Sequence, residues 1–189
     1  MTEYLIAVVA AALVNDWTLT RFSGDENPDT LERLKRAATL GGLTVLVTLK
    51  ACGVAFVLYY GVLSPLGLGA AWIPLCFAAT FLSAFGFGRL ARNSAGPLAA
   101  FVQTYWPVAA LNAVAFGASA HSVGTGAGFV GTLLTAFGAS ALFAATLAAL
   151  TAIQARMDTD ALPQSVRGVP ALLLSAALIS MALMAFAGL

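Results

Sequence analysis

TLGGLTVLVTLKACGVAFVLYYG, residues 39–61, is a run of 23 residues with a single charged side chain, Lys50. A helix of about 20 apolar residues is long enough to cross the hydrocarbon core of a bilayer. The rest of the chain has the same character, since 60% of its 189 residues are hydrophobic and only 9% are charged. A soluble domain carries roughly 25% charged residues. The composition therefore predicts an all-α integral membrane protein.

Similar apolar runs recur along the chain, separated by segments rich in glycine, proline or charge that end or kink helices. We expect the first run to be a retained helix, because no basic segment precedes Tyr4 and no cleavage site follows it. The pattern predicts one membrane domain, residues 1–189, with six transmembrane helices. The predicted spans are residues 4–22, 39–61, 71–89, 98–119, 127–154 and 169–188.

The basic residues are distributed unevenly over the loops between these spans. Eight of the nine flank the first, third or fifth loop, and the second and fourth loops have none. Cytoplasmic loops carry an excess of Lys and Arg. We therefore expect a bacterial inner-membrane protein with these three loops in the cytoplasm and both termini on the non-cytoplasmic side. The eight residues are Arg21, Arg33, Lys35, Arg36, Arg89, Arg92, Arg156 and Arg167.

The two halves of the chain, residues 1–92 and 93–189, show a weak internal repeat. Residues 13–16 (LVND) align with residues 110–113 (ALNA), which places an asparagine inside the first span of each half. Three spans per half is an odd number, so the halves would enter the membrane from opposite sides. Such inverted repeats place a functional site near the midplane, between broken helices. The first helix of each repeat is expected to break after its asparagine, at Gly24 in one half and at Gly117 and Gly124 in the other.

Two ionisable residues lie inside predicted spans, Asp16 in the first and Lys50 in the second. An unpaired Lys or Asp at the centre of a transmembrane helix costs about 2.5–3.5 kcal/mol on insertion scales. The depths of the two residues differ by roughly 6 Å of helical rise, about the length of a lysine side chain. We therefore predict an intramembrane Asp16–Lys50 pair, which would either fix helix register or serve an ion or proton path. The alternative is that Lys50 reaches towards an interface.

Other side chains give weaker signals. Cys52 and Cys76 lie in apolar runs and are expected to be buried small hydrophobes. His121, near the fourth loop, is expected to be exposed. The chain has no cysteine–histidine spacing typical of a metal site, no nucleotide-binding glycine motif and no basic patch for nucleic acid. We therefore expect no catalytic residue and no metal site within this chain.

Five stretches resemble the RnfA/NqrE type of subunit, the six-helix membrane subunits of the Rnf and Na⁺-pumping NADH:quinone oxidoreductase complexes. They are MTEYL at 1–5, LVND at 13–16, RF-x-G at 21–24, P-x-x-x-x-N at 107–112, and RG-x-x-ALL…LMAFAGL at 167–189. The resemblance implies pairing with a homologous subunit of opposite orientation. Half-helices of the two subunits would hold a [2Fe-2S] cluster through two cysteines from each, passing electrons between flavin-bearing and ferredoxin-like partners.

The sequence departs from that pattern at both cluster positions, where it has Glu26 and Ala113. Iron–sulfur clusters depend on thiolate ligands, and alanine has no donor atom. We therefore expect no cluster bound by this chain's own thiolates, although partners could hold one. If the chain re-enters the membrane as the resemblance implies, Glu26 lies at a depth where a carboxylate must be neutral or paired. The alternative is a solvated loop. The candidate intramembrane polar site comprises Asn15, Asp16, Glu26, Lys50 and Asn112.

Three functions follow from these observations. The first is a non-catalytic membrane subunit of an Rnf/Nqr-like ion-translocating electron-transport complex, without the usual [2Fe-2S] ligation. The second is a stand-alone or dimeric ion or small-solute transporter that kept the inverted-repeat fold and lost the redox centre. The third is a structural assembly subunit.

Overall fold

The computed structural model describes residues 30–126, 128–157, 163, 165 and 169–187. The first predicted span and the break predicted at Gly24 lie outside these residues. The described residues are mostly helical and contain no strand, which confirms the prediction of an all-α membrane protein. The helices are α1 (Thr30–Leu58), α2 (Trp72–Arg92), α3 (Pro97–Ala110), α4 (Ala113–Gly124), α5 (Phe129–Arg156) and α6 (Val169–Ala187). A π-helical turn (Tyr59–Leu63) and a 3-10 turn (Gly69–Ala71) join α1 to α2.

Three helical segments of the described chain are long and apolar enough to cross a membrane: Leu31–Leu63, Gly69–Arg92 and Phe129–Arg156. The helices α3 and α4 meet the same criterion together, as one span bent by 54° at a short break. The helix α6 contributes a shorter apolar stretch, Pro170–Ala185. Each of the five predicted spans after residue 38 overlaps one of these segments.

The helix α1 begins nine residues before the predicted span. Its 29 residues rise about 44 Å, whereas the hydrocarbon core is about 30 Å thick. The additional turns are polar, and Arg36 donates a hydrogen bond from Nη2 to Glu32 Oε1, one turn earlier, at 2.6 Å. Such i,i+4 pairs support a helix in water. The first turns of α1 therefore extend beyond the apolar part of the helix.

The chain divides into two compact units, residues 42–141 and the combination of residues 1–41 with 142–189. In the second of these, α5 and α6 pack through a small core whose buried members are Leu150, Leu172 and Ala176. Gly41 also lies against α5, and a Cβ at Gly41 would come within 2.9 Å of Ala144 Cβ.

The unit formed by residues 42–141 has a larger core between α1, α2, α3 and α4. Trp106 of α3 packs so closely on α2 that a Cβ at Gly88 would lie 2.7 Å from Trp106 Cγ. Small residues at such contacts let helix backbones approach, which is how membrane helices gain packing energy. The buried members of this core are Leu43, Val47, Ala84, Ala109, Ala110 and Ala115.

The break in the fourth span lies at Leu111–Asn112. Pro107 has no N–H to donate within α3, and its ring disfavours regular helix geometry. Asn112 then adopts an extended conformation, with φ −72° and ψ 116°, and begins α4. The prediction of a break at the glycines was wrong, because Gly117 lies inside α4 and Gly124 is its last residue. The break falls on the asparagine because its side chain caps the new helix.

Asn112 makes two hydrogen bonds that hold this break. Its Oδ1 accepts a hydrogen bond from the Val114 N–H at 2.9 Å, which satisfies one of the free amides at the start of α4. Its Nδ2 donates to Thr44 Oγ1 of α1 at 3.3 Å. Asn112 is 2% exposed and Thr44 is fully buried. The side chain therefore both starts α4 and ties it to α1.

Replacement of Asn112 by alanine removes the cap and leaves buried groups without partners. We expect Asn112→Ala to lower the free energy of unfolding by about 1–3 kcal/mol. Unfolding of the purified protein in detergent, followed by circular dichroism, measures the change. Asn112→Ser keeps a capping oxygen and should lie between the alanine variant and the parent. Equal stability of Asn112→Ala and parent would contradict the role assigned to this side chain.

Candidate functional site

Two of the five residues of the predicted polar site, Lys50 and Asn112, lie in the described chain. Asn15, Asp16 and Glu26 lie outside it, so the Asp16–Lys50 pair stays a prediction. The structure does not join Asn112 to Lys50 by a hydrogen bond. It joins Asn112 to Thr44, six residues before Lys50 on α1.

Lys50 lies on an exposed face of α1 and reaches across to α2. Its Nζ is 5.0 Å from the centroid of the Phe87 ring. A Cβ at Gly86 would approach Nζ to 2.9 Å, so the missing side chain of Gly86 makes room for the ammonium. A cation over an aromatic ring gains about 0.5–2 kcal/mol. This contact offsets part of the cost of placing Lys50 in an apolar helix.

The surface of the break presents apolar groups. Leu111 is 73% exposed and Ala113 is also exposed, whereas Asn112 between them is buried. Ala113 is the first residue of α4. It therefore presents a methyl group at the position where the resemblance implies a cluster thiolate, and a methyl group cannot ligate iron.

The two cysteines lie elsewhere in the same unit. Cys52 of α1 and Cys76 of α2 are both free thiols and both fully buried, as predicted for small hydrophobic residues. The Cys76 thiol lies beside the side chain of Ser119, which is six residues beyond Ala113 on α4. At 1.5 Å per residue, that is about 9 Å along the helix from the break. The thiols therefore do not replace the missing ligand at Ala113.

His121 is exposed near the end of α4, as predicted. Its backbone carbonyl accepts hydrogen bonds from Thr125, through N at 3.0 Å and through Oγ1 at 2.8 Å. Within the described ranges, no three histidine, cysteine or acidic residues come together in a way that could hold a metal ion.

Two polar residues that position the helices were not predicted from the sequence. Thr44 receives the hydrogen bond from Asn112, and Gln103 of α3 donates from Nε2 to the carbonyl of Ala91 in α2 at 2.9 Å. The four-residue spacing of Thr44 and Thr48 places them on one face of a helix, and this spacing could have suggested a polar contact there. Threonine in a helix commonly bonds to the carbonyl one turn earlier, as Thr48 does to Thr44 at 2.7 Å, so threonine alone does not predict a contact between helices.

No family model matches this chain. Over its whole length it is similar to curated proteins named as subunits of the ion-translocating oxidoreductase complex. The Azoarcus sp. (strain BH72) protein is 27% identical over 191 residues, covering 100% of this chain and 98% of the relative. The Edwardsiella ictaluri protein is 28% identical with the same coverage. A relative from Acetobacterium woodii, named as part of the Na(+)-translocating ferredoxin:NAD(+) oxidoreductase complex, is 25% identical, covering 98% of this chain and 97% of the relative.

These alignments run from end to end, so the similarity belongs to the whole membrane domain and not to one shared segment. They include the P-x-x-x-x-N stretch at 107–112, where the structure has the proline and asparagine of the broken span. The resemblance drawn from five short stretches is thereby confirmed. Over its full length this chain is similar to membrane subunits of the RnfA/NqrE type.

Proposed function

We propose that this chain is an integral membrane subunit of an Rnf-type ion-translocating electron-transfer complex, in which it pairs with a homologous six-span subunit of opposite orientation. Full-length similarity to proteins named as subunits of ion-translocating oxidoreductase complexes supports the first part. The 54° break between α3 and α4 supports the second, because it produces the half-helix that such a pairing requires. The exposed apolar residues Leu111 and Ala113 leave this break accessible to a partner.

In this assembly no residue of α4 would ligate an iron–sulfur cluster. A thiolate is the donor that an iron–sulfur cluster requires, whereas the exposed residues at the break, Leu111 and Ala113, carry only aliphatic groups. The buried thiols of Cys52 and Cys76 belong to the packing of α1 and α2. The residues described here do not fit a [2Fe-2S] centre, so we assign no electron-transfer step to them. The complex would either lack this cluster or hold it through other chains.

The orientation proposed for the subunit follows from its arginines. Arg89 and Arg92 occupy the last turn of α2, and Arg156 occupies the last turn of α5. Both helix ends would face the cytoplasm under the positive-inside rule. We place the chain in the bacterial inner membrane, with both termini on the opposite side.

Affinity purification of the tagged protein from mildly solubilised membranes tests the proposed assembly. We expect flavin-bearing and ferredoxin-like subunits, together with a second six-span protein, to co-purify in fixed ratio. Mass spectrometry of the eluate identifies them, and an unrelated six-span protein with the same tag is the control. Recovery of this chain alone, or with only one other six-span protein, would favour the transporter alternative.

Iron content and EPR spectra of the same purified assembly test the ligand proposal. Changing Glu26→Gln together with Ala113→Val should leave both unchanged, because neither residue donates a thiolate to iron. The companion Cys52→Ala with Cys76→Ala variant should likewise retain the iron. A [2Fe-2S] signal that disappears in either variant, while the subunits still co-purify, would show that this chain does ligate the cluster.

We further propose that Asp16 and Lys50 pair within the membrane. If the two residues pair, Lys50→Met should lower the yield of folded protein because it leaves the Asp16 carboxylate in the membrane without a counter-charge, and adding Asp16→Asn should recover part of that yield. Fluorescence-detected gel filtration of the membrane extract measures both. Asp158→Asn, in the predicted fifth loop, is a control for loss of an acidic residue. Strictly additive losses from the two changes would rule out the pair.

A further inference from the structure

The end of α2 that bears two arginines borders an open cavity of about 510 Å³, lined by Gly86, Arg89, Leu90, Arg92 and Asn93. Residues 86, 89, 90 and 93 are spaced by three or four residues and therefore share one face of the helix. Arg92 also lines a second cavity of about 220 Å³. Two arginine side chains therefore border open cavities at this end of α2.

The length of the span that contains α2 indicates the depth of the arginines in a membrane. The span that contains α2 begins at Gly69, and Arg89 follows 20 residues later. At 1.5 Å per residue this distance is roughly 30 Å, the thickness of the hydrocarbon core. If Gly69 lies at one surface of the membrane, the guanidinium groups lie at the phosphate level of the other.

The last carbonyl groups of α2 have hydrogen-bond donors other than the arginines. Gln103 Nε2 donates to the Ala91 carbonyl at 2.9 Å, and the backbone N–H of Ser94 donates to the same oxygen at 3.1 Å. The Leu90 carbonyl accepts from the Asn93 N–H at 3.2 Å. The arginines are therefore not needed to cap their own helix.

The guanidinium groups keep N–H donors for an anion from outside the chain. Among the residues that the structure describes, neither Arg89 nor Arg92 forms an ion pair. The Arg89 guanidinium lies over the Phe85 ring, with Cζ 5.5 Å from the ring centroid. A contact through the face of the guanidinium leaves the N–H groups at its edge available for hydrogen bonds.

The same face becomes apolar one turn deeper in the membrane. Leu82, four residues before Gly86, is 60% exposed, and Leu90 beside the arginines is 64% exposed. Gly86 lies between them, beside the Lys50 ammonium, which would lie 2.9 Å from a Cβ at this position. A ligand with a phosphate group and an attached hydrocarbon chain would contact both the arginines and the exposed leucines. Free phosphate would contact only the arginines.

We propose that the Arg89–Arg92 face of α2 binds the phosphate group of an anionic phospholipid, with the acyl chain along the exposed side chains of Leu90 and Leu82. Arginine suits this role because its planar guanidinium donates two parallel hydrogen bonds to phosphate oxygens. Asn93 adds a neutral polar group at the edge of the same cavity. Basic pockets at the ends of membrane helices are known to bind such headgroups.

Native mass spectrometry of the purified full-length protein tests this site. Dioleoylphosphatidylglycerol and dioleoylphosphatidylcholine are added separately at equal concentration, and inorganic phosphate is added in a third sample. We expect saturable retention of phosphatidylglycerol and little retention of phosphatidylcholine. Each arginine near the headgroup contributes about fivefold in affinity, so Arg89→Gln with Arg92→Gln should weaken binding by roughly 25-fold.

Two further variants separate binding from folding. Arg156→Gln removes an exposed arginine from the last turn of α5 and should leave retention unchanged. Leu82→Asn makes the exposed apolar face polar, keeps both arginines and should also weaken binding. Equal retention of the two lipids, or unchanged phosphatidylglycerol binding by a folded Arg89→Gln, Arg92→Gln protein, would overturn the proposal. Phosphate that binds at this site and displaces the lipid completely at millimolar concentration would identify a free-anion site and would also overturn it.

Discussion

The hydrogen bonds of Asn112 are the interaction on which the unit formed by residues 42–141 depends. A backbone that leaves the helical path inside a membrane must satisfy its polar groups without water. Pro107 and the extended residue at 112 interrupt the ladder, and the Asn112 side chain then caps α4 and bonds to Thr44 of α1. The same side chain that permits the break also anchors it. A broken helix with this support can persist as a defined half-helix instead of a flexible kink.

Around that anchor, close contacts between helices rely on the absence of side chains. Gly88 accommodates the indole of Trp106, and Gly86 accommodates the ammonium of Lys50. In lipid, helices gain little from the hydrophobic effect when they associate, so close packing and a few polar contacts must supply the stability. The hydrogen bond from Gln103 to the Ala91 carbonyl is one such contact. Together these features position the end of α2, and with it the two arginines that border the open cavity.

The break in the fourth span combines structural and surface residues. Pro107 and Asn112 produce the break, and Ala113, next to the cap, exposes a methyl group. The cap of α4 uses the Asn112 amide and the backbone N–H of Val114, so it does not depend on the side chain at Ala113.

Hydrophobicity and helix length are enough to predict the class of the protein, the positions of five described apolar spans and the burial of both cysteines. The asparagine of the internal repeat also indicated an interrupted fourth span. The folded structure was needed to show that the break lies at Leu111–Asn112 and not on the glycines, and that Asn112 bonds to Thr44, 68 residues away. It also decided that Lys50 contacts Phe87. Local composition does not encode which buried polar groups meet, because their pairing depends on the register between helices, and packing sets that register.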